Sequence, residues 1–583
     1  MRPECQTCWE CALPYQSGWK CACRTSSQSP ETFIFLRMGF TENGSATFLS
    51  TGNPCLDFFF HVVPDTPPQE LLQRLKLSWK CDALTTLKLM CNLRGIRGTG
   101  KSEKEGFYTA ALWLHNKHPK TLACNTKAIA DFGYFKDVLE ILYRLLEGHE
   151  VRKNEKEKWM EKKREGFLEG LKEKKGSSII PIGKAKRIRE KTLAKANKFL
   201  DRYIEDYDFQ FLYDKVSGFF ANALWKDMEL YNEGKFYELS LAAKWCPSLD
   251  SSYDKSLLMC ESVGRKLFPY DEYMDLEDAH YAYRVRNRLR KEVLVPLHKV
   301  LEIPEIYICA NKWEELPYKR VPSVAMKMCK ELFYKHDKER FKQYLEDVKN
   351  GKTIIAAGAL LPHEIIASLK DSTGPEVAEL QWNRMVGDLA KKGKLTNCMA
   401  ICDVSGSMSG TPMEVCVALG LLISELSEEP WKGKLITFSR NPEFHMVKGK
   451  TLSEKTIFIR RMDWGGNTAF QKVFDKILEV AVRGNLSEEQ MIKTLFVFSD
   501  MEFDEASASP WDTDYQVIQR KFKKKGYYKA TPVPSNQQGV ALVSGFSKNL
   551  VTVFLEEDGI LSPEAVMIQA ISGDEYQKLV VFD

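Results

Sequence analysis

Several patterns that would define an easily recognised class of protein are missing from this chain. It has no run of about 18 or more apolar residues, so we expect no transmembrane helix and no membrane partner. No basic stretch followed by an apolar segment opens the sequence, so no secretory signal is visible. The nine histidines form no HExxH pattern, and neither a G-x-S-x-G turn nor a cysteine–histidine pairing stands out. We therefore expect a non-enzymatic protein of the cytoplasm or the nucleus.

A strong net charge is also missing. The 583 residues include 84 Lys and Arg against 79 Asp and Glu, which leaves a formal net charge of +5. This balance excludes a dedicated nucleic-acid packaging protein, although a weakly positive mean can hide a basic face. Hydrophobic residues make up 44% and charged residues 28%, which excludes a mostly disordered or collagen-like chain. The length is too great for a single ordinary domain.

Cysteines are present but sparse outside the N-terminus. Most of the 16 stand singly inside apolar runs, as Cys91 and Cys309 do, and we expect them to be buried and reduced. The first 37 residues contain a cluster: Cys5, Cys8, Cys11, Cys21 and Cys23. Thiolates bind zinc, but the spacing of the last pair fits poorly and no helix or strand pattern surrounds the cluster. We favour a disordered tail over 1–37, and a zinc site is the alternative.

Residues 38–392 are predicted to be α-helical. Apolar residues recur there at helical spacing, as in Leu71, Leu75 and Trp79, and short Gly or Pro stretches separate these helical segments. No strict repeat is visible, but a stack of helix pairs is the natural architecture. We therefore expect an all-α, helical-repeat-like domain.

This helical region carries two basic groups that are candidates for binding RNA. The insert 151–198 holds 17 Lys and Arg against 7 Asp and Glu. The candidate residues are Lys184, Lys186, Arg187 and Arg189 in the first group, and Arg284, Arg286, Arg288 and Arg290 in the second. Tyr281 and Tyr283 adjoin the second group, and aromatic rings can stack on bases while arginines pair with phosphates. The alternative is that both groups are ordinary solvated helix faces.

Residues 393–583 show a different pattern. Apolar strand candidates at 395–402, 434–439 and 493–499 alternate with amphipathic helices at 413–426, 470–482 and 515–524. This alternation predicts a parallel sheet covered by helices on both faces, which is an α/β domain.

Oxygen-bearing side chains follow the strands of this predicted sheet. Asp403, Ser405 and Ser407 come directly after the first strand, Thr468 precedes a helix, and Asp500 ends an apolar strand. Ligands of open α/β sheets bind beyond the carboxyl ends of the strands. Carboxylates and hydroxyls are hard oxygen donors, which suit Mg²⁺. The pattern therefore predicts a metal site at this edge.

These residues resemble the metal-ion-dependent adhesion site of von Willebrand factor A domains. The resemblance implies a Rossmann-like fold and bound Mg²⁺, with Mn²⁺ or Ca²⁺ as alternatives. It implies that Ser405, Ser407 and Thr468 coordinate the metal, and that Asp403 and Asp500 act directly or through water. An open metal position would then accept an acidic side chain of a partner protein. A Rossmann-like domain with polar turns and no metal is the alternative.

The whole chain after residue 38 shows a second resemblance. The stretches 50–60, 92–95 and 358–364 look like those of a plant and giant-virus family of unknown function, which joins a helical region to a C-terminal A domain. The order of parts is more distantly similar to the TROVE proteins, such as the Ro autoantigen, whose helical ring binds RNA. This resemblance implies an RNA-binding ribonucleoprotein component as the alternative to a protein-binding scaffold.

Two features do not fit these patterns. The segment 525–538 contains prolines where an A domain would return through a buried strand, so a core strand is either lost or supplied by 539–544. Residues 95–102 fit the P-loop pattern G-x-x-x-x-G-K-S, but helical spacing precedes them where a strand is required. Nucleotide binding through Lys101 is therefore the weakest alternative, and Arg94 and Arg97 remain candidates for contacts with other phosphates.

Overall fold

The structure is a computed structural model that describes most of the chain. The described residues are 38–40, 46–48, 51–170, 182–371, 373–403, 408–438, 442–462, 470–499, 511–528, 545–554 and 562–583. The N-terminal cysteine cluster, most of the segment 525–538 and the stretch 539–544 lie outside the described residues. The predictions made for them stay predictions.

Helices build the part of the chain before residue 393, as predicted. Two short strands, β1 (Met38–Phe40) and β2 (Ala46–Phe48), pair antiparallel at its start. The first ten helices are α1 (Pro54–His61), α2 (Pro68–Cys81), α3 (Ala83–Arg94), α4 (Lys104–Lys117), α5 (Pro119–Cys124), α6 (Thr126–Phe132), α7 (Lys136–Glu147), α8 (Val151–Gly170), α9 (Ile182–Glu205) and α10 (Tyr207–Asn232). The next ten are α11 (Ala242–Trp245), α12 (Ser252–Leu257), α13 (Met259–Leu267), α14 (Asp278–Arg288), α15 (Val295–Val300), α16 (Pro304–Cys309), α17 (Ser323–His336), α18 (Lys338–Lys349), α19 (Pro362–Ala367) and α20 (Gly374–Ala390).

A buried carboxylate ties several of these helices together. Asp137 on α7 is completely buried and accepts hydrogen bonds from the Arg94 guanidinium at 2.8 and 3.2 Å. The Tyr108 hydroxyl donates to it at 2.6 Å and the Tyr134 main-chain N–H at 2.8 Å. A buried charge is tolerated only when it is paired and hydrogen-bonded, and four donors meet that requirement here. The end of α3 is thereby fixed against α7.

The chain after α20 folds around a small mixed sheet. Its strands are β3 (Cys398–Asp403), β4 (Lys434–Phe438), β5 (Glu443–Met446) and β6 (Thr494–Phe498). The spatial order is β5-β4-β3-β6, with β3 parallel to both β4 and β6, and β5 antiparallel to β4. The helices of this part are α21 (Thr411–Leu426), α22 (Leu452–Arg460), α23 (Phe470–Arg483), α24 (Trp511–Lys524) and α25 (Pro563–Ala570).

The central strand β3 is covered on both faces. Successive side chains of a strand point to opposite faces. Accordingly, Ala400 and Cys402 pack in a core with α21 and α22, whereas Met399 and Ile401 pack with α23 and α24. The predicted arrangement of a helical region followed by a sheet with helices is therefore confirmed.

The antiparallel strand β5 differs from the predicted parallel sheet. Four residues separate Phe438 from Glu443, and a crossover to a parallel strand needs about a dozen. The short link therefore forces the chain to turn back, and the sheet is mixed.

The end of the chain leaves the sheet and packs on the helical region. Ala570, Tyr576 and Leu579 belong to the same hydrophobic core as α1 to α7. The Asn92 side chain on α3 donates to the Ala570 carbonyl at 3.2 Å and to the Tyr576 hydroxyl at 3.0 Å. Residues 562–583 thus complete the core of the helical region, although they are far from it in sequence.

A second C-terminal segment, residues 545–554, bridges two loops of the helical region. The Lys548 ammonium donates to the carbonyls of Gly358 at 2.9 Å and Leu360 at 2.7 Å. The Asn549 side chain donates to the Gly100 carbonyl at 3.1 Å. Burial lowers the pKa of Lys548 to about 8. The stretches at 92–100 and 358–360 are therefore docking sites for the returning chain.

The cysteines agree only in part with the prediction that they are buried. Cys91 is buried, but Cys309, at the end of the short helix α16, is exposed, so the prediction was wrong there. The cysteines of the described residues are free thiols. None of the helices in the described part of the chain combines the length and apolar composition that a bilayer crossing requires.

The packing of residues 562–583 on the helical region leads to a prediction about stability. We expect Tyr576→Ala to lower the free energy of unfolding by about 3–5 kcal/mol, because it empties a buried aromatic site and removes the partner of Asn92. Urea denaturation followed by circular dichroism measures the change. Lys578→Ala, two residues away and exposed, is the matched control and should change stability by less than about 0.5 kcal/mol. Equal stability of the two variants would contradict the prediction.

Candidate metal centre

The predicted metal site begins where two parallel strands end side by side. In the register of β3 and β6, Cys402 lies opposite Phe498, so Asp403 and Ser499 are the next neighbours at the carboxyl edge. The Ser499 hydroxyl donates a hydrogen bond to Asp403 Oδ2 at 2.5 Å. Asp403 is completely buried. A buried carboxylate and a neighbouring hydroxyl therefore lie together at the carboxyl edge of the sheet.

A thiol beneath this edge holds the two strand ends together. Cys416 on α21 donates from Sγ to the Asp403 carbonyl at 3.4 Å and to the Phe498 carbonyl at 3.6 Å. The hydrogen bond with Cys402 is the larger cause, and burial the next, of a pKa for the Cys416 thiol well above its ordinary value. The thiol therefore stays protonated at neutral pH and can act as a donor.

The remaining predicted ligands lie outside the described residues. Ser405 and Ser407 belong to the stretch between β3 and α21, Thr468 precedes α23 by two positions, and Asp500 follows Ser499 directly. Within the described ranges, no group of three or more His, Cys, Asp or Glu side chains could hold a metal ion. The donor chemistry of the described part, a buried carboxylate beside a hydroxyl, fits a hard cation such as Mg²⁺.

Sequence reasoning missed Ser499 and Cys416 as parts of this edge. Ser499 was available as a signal, because it is the first polar residue after the apolar run 495–498 and directly precedes Asp500. Cys416 gave no signal, because a single cysteine in an apolar helix is normally a core residue. Only the packing of α21 across β3 brings its sulfur to the strand ends.

A cleft of about 570 Å³ lies between α19 of the helical region and the start of α21. Its lining residues are His363, Ala367, Ser409, Gly410, Thr411, Met413 and Glu414. The Glu414 carboxylate accepts hydrogen bonds from Lys370 at 3.3 Å and from Arg460. The cleft is therefore lined by both parts of the chain, and the carboxylate of its acidic lining residue is paired.

Two arginines of the second basic group are engaged in ion pairs with neighbouring acidic side chains. Arg286 pairs with Asp254 at 2.9 Å, and Arg288 pairs with Glu292 at 3.0 Å. Arg288 also lies 4.0 Å from the centre of the Phe268 ring. Within the same group, the remaining exposed side chains are Tyr283, Arg284 and Arg290. Tyr281 is buried and donates its hydroxyl to the Phe268 carbonyl at 2.7 Å.

The first basic group lies on α9, which contains Lys184, Lys186, Arg187 and Arg189. The side chains of Arg187 and Arg189 are exposed. Further along α9, Lys195 donates to the Ser256 hydroxyl on α12 at 3.1 Å. Arg286 of the second group pairs with Asp254 on the same short helix. Helix α12 therefore contacts both α9 and the second basic group.

The P-loop-like stretch has a different geometry from a phosphate site. Helix α3 precedes it, and the Lys101 ammonium is buried and donates to the main-chain carbonyls of Phe59 and Val62, the latter at 3.3 Å. Arg94 is bound to Asp137, and Arg97 donates to the Asp131 carbonyl at 3.4 Å. Lys101 thus holds the end of α1, and the geometry favours a structural role.

The helical region and the sheet together define a class of two-part protein, in which a mostly helical N-terminal region precedes a small mixed sheet with helices. Residues 41–395 match a domain of unknown function (DUF2828), and residues 397–579 match a domain of unknown function (DUF7788). Since the first match spans more than half of the chain, the protein belongs to the DUF2828 family.

A relative that matches most of the chain comes from a giant virus. It is "Uncharacterized protein L728" of Acanthamoeba polyphaga mimivirus, which is 27% identical over 557 residues. The similarity covers 89% of this chain and 85% of the viral protein. The predicted membership of a family of unknown function with giant-virus relatives is therefore confirmed.

The burial of Lys101 predicts a pH dependence of stability. Burial lowers its pKa from 10.5 to about 7, so between these values the unfolded chain binds one more proton at this residue than the folded chain. Its contribution to stability therefore rises with pH above 7, by at most about 1.4 kcal/mol per pH unit. Urea unfolding at pH 7 and pH 9 should show a smaller rise for Lys101→Met than for the wild type. The exposed Lys104→Met is the control, and an unchanged rise in Lys101→Met would contradict the prediction.

The close contact of α21 with β3 generates another prediction. A Cβ on Gly420 would lie 2.2 Å from Cys402 Sγ, so we expect Gly420→Ala to lower the free energy of unfolding by about 1–3 kcal/mol. Adding Cys402→Ala removes the clashing sulfur and should recover part of this loss. Gly387→Ala, on the open face of α20, is the control and should stabilise by up to about 1 kcal/mol. A Gly420→Ala protein as stable as the wild type would refute the close approach.

Proposed function

We propose that this protein is a non-enzymatic scaffold whose C-terminal part is a von Willebrand factor A-like domain with a metal-ion-dependent adhesion site. In this proposal Asp403, Ser405, Ser407, Thr468 and Asp500 hold Mg²⁺, with Mn²⁺ or Ca²⁺ as alternatives. A bound metal would supply a positive centre with an open position for a carboxylate oxygen of a partner protein. The acidic side chain of that partner is the group recognised.

The observation that carries this proposal is the pairing of Asp403 with Ser499 at the carboxyl edge of β3 and β6. An adhesion site of this kind needs its two aspartates at neighbouring strand ends. Asp403 ends β3, and Asp500 is the residue after Ser499. A completely buried carboxylate is costly unless hydrogen bonds or a cation compensate its charge. Ser499 supplies one such hydrogen bond, and in this proposal the cation adds a positive charge beside the carboxylate.

The architecture around the edge supports the same proposal. The parallel strands β4, β3 and β6 lie side by side, and helices cover both faces of β3. Helix α21 begins at Thr411, four residues after Ser407. Ligand-binding loops of open α/β sheets occupy the same place, between the carboxyl end of a strand and the following helix.

Calorimetric titration of the full chain with Mg²⁺ tests the proposal. We expect saturable binding that weakens at least tenfold in Ser405→Ala and in Asp500→Asn, because each removes one oxygen ligand. These variants avoid the buried Asp403, whose replacement could unfold the domain. Asp388→Asn, a carboxylate on α20 that pairs with Arg384, is the control and should bind Mg²⁺ as the wild type does. Wild-type protein that binds no Mg²⁺, or variants that bind it unchanged, would overturn the proposal.

Binding of structured RNA by the helical region is a second candidate function. The observation that favours it is that α12 contacts α9 through Lys195 and the second basic group through Arg286. Tyr283 and Arg284 are consecutive exposed residues of α14, so the helix offers a ring that can stack on a base and a cation that can contact a phosphate. A more distant resemblance to TROVE proteins points in the same direction.

Filter binding of a labelled RNA hairpin over a range of salt concentrations tests this second function. The double reversal Arg284→Glu with Arg290→Glu should weaken binding and reduce the slope of log K against log salt by about 2, one for each lost phosphate contact. The reversal Lys335→Glu with Lys338→Glu, on exposed residues of α17 and α18, controls for net charge. Salt-independent binding, or equal effects of the two reversals, would count against RNA binding at the second basic group.

A further inference from the structure

Helix α9 has an apolar stripe on its solvent side. Four exposed residues form this stripe: Leu193, Asn197, Leu200 and Ile204. Its three apolar members are between 44% and 76% exposed. A surface helix normally has a single apolar stripe, which faces the core, and on α9 the buried Phe199 already occupies the core side. The solvent-side stripe is therefore an additional apolar surface, with its large side chains in water.

The spacing of the stripe is that of a seam between two helices. Its members follow each other at intervals of four, three and four residues. Residues at alternating intervals of three and four form the contact face of paired helices, and a single asparagine within such a face fixes the register of the pair. Asn197 occupies such a position. The pattern therefore predicts that another helix covers the stripe.

The charges of α9 have opposite signs at its two ends. From 184 to 191, five of the eight residues are basic and one is acidic. From 201 to 208, at the junction with α10, four residues are acidic and one is basic. Two copies of α9 that lie side by side in the same direction would bring like charges together. Two copies in opposite directions bring each basic end to the acidic end of the other, which is electrostatically complementary.

The same reversal of direction aligns the stripe with itself. Leu193 and Leu200 are equally far from a point beside Ala196, and Arg187 and Glu205 are centred on Ala196. At about 3.6 residues per turn, the 18 residues from Arg187 to Glu205 make whole turns, so both lie on one side of α9. Both are exposed, and neither forms an ion pair with another described residue. A twofold axis near Ala196 would place Leu193 of one copy against Leu200 of the other. It would likewise place Arg187 against Glu205, and each contact would occur twice.

From these observations we infer that two copies of this chain associate through an antiparallel pairing of α9. The leucines supply the apolar contact, and the charged ends set the orientation. A single helix pair is small for a permanent interface, so we expect a dissociation constant in the micromolar range. The pairing uses none of the proposed metal ligands and is independent of the proposed function.

Sedimentation equilibrium of the full chain over micromolar concentrations tests the pairing. We expect a monomer–dimer equilibrium that Leu200→Glu weakens at least about tenfold, because a charge replaces an apolar contact twice in each dimer. Leu77→Glu, at an exposed apolar position of α2, is the matched control and should associate as the wild type does. A wild type that stays monomeric overturns the proposal and leaves the stripe to a different protein. A Leu200→Glu variant that associates as tightly as the wild type also overturns it.

Charge reversals test the antiparallel direction. Arg187→Glu and Glu205→Arg should each weaken association about fivefold, because each places like charges together at two symmetric positions. An equimolar mixture of these two variants should recover wild-type affinity, since a mixed dimer restores both opposite-charge pairs. Lys342→Glu, at an exposed residue of α18, controls for net charge. Single reversals without effect, or a mixture that does not recover, would overturn the antiparallel pairing.

Discussion

The parallel pairing of β3 with β6 is the constraint on which the candidate site depends. It brings together two strand ends that are almost a hundred residues apart in sequence, and it does so with a fixed register. A shift by one residue would turn Asp403 and Ser499 to opposite faces of the sheet. The apolar cores on both faces prevent such a shift, because Met399 and Ile401 face one core and Ala400 and Cys402 the other.

The two parts of the chain are not independent. The last segment of the chain completes the core of the helical region, and Lys548 ties the preceding segment to a loop before α19. Helix α19 also packs directly on α21, so that a cleft is lined by both parts.

Much of the architecture could be predicted because its signals are local. Helical periodicity located α2, α3, α4 and α7, and apolar runs located β3, β4 and β6 close to their observed bounds. The glycine-rich stretch before Lys101 could be separated from a P-loop because the preceding residues have helical spacing. The antiparallel β5 was missed because Glu443–Met446 is short, polar at its start and half exposed, and so lacks a buried-strand pattern.

The sequence by itself determined which residue types stand at the strand ends, since Asp403, Ser499 and Asp500 interrupt apolar runs and polar residues end buried strands. Only the tertiary structure decided which of them meet. The contact between Asp403 and Ser499 and the contacts of the Cys416 sulfur with both strand ends are long-range contacts. Their physical cause is the packing of α21 against the sheet, and no local periodicity encodes how distant elements pack.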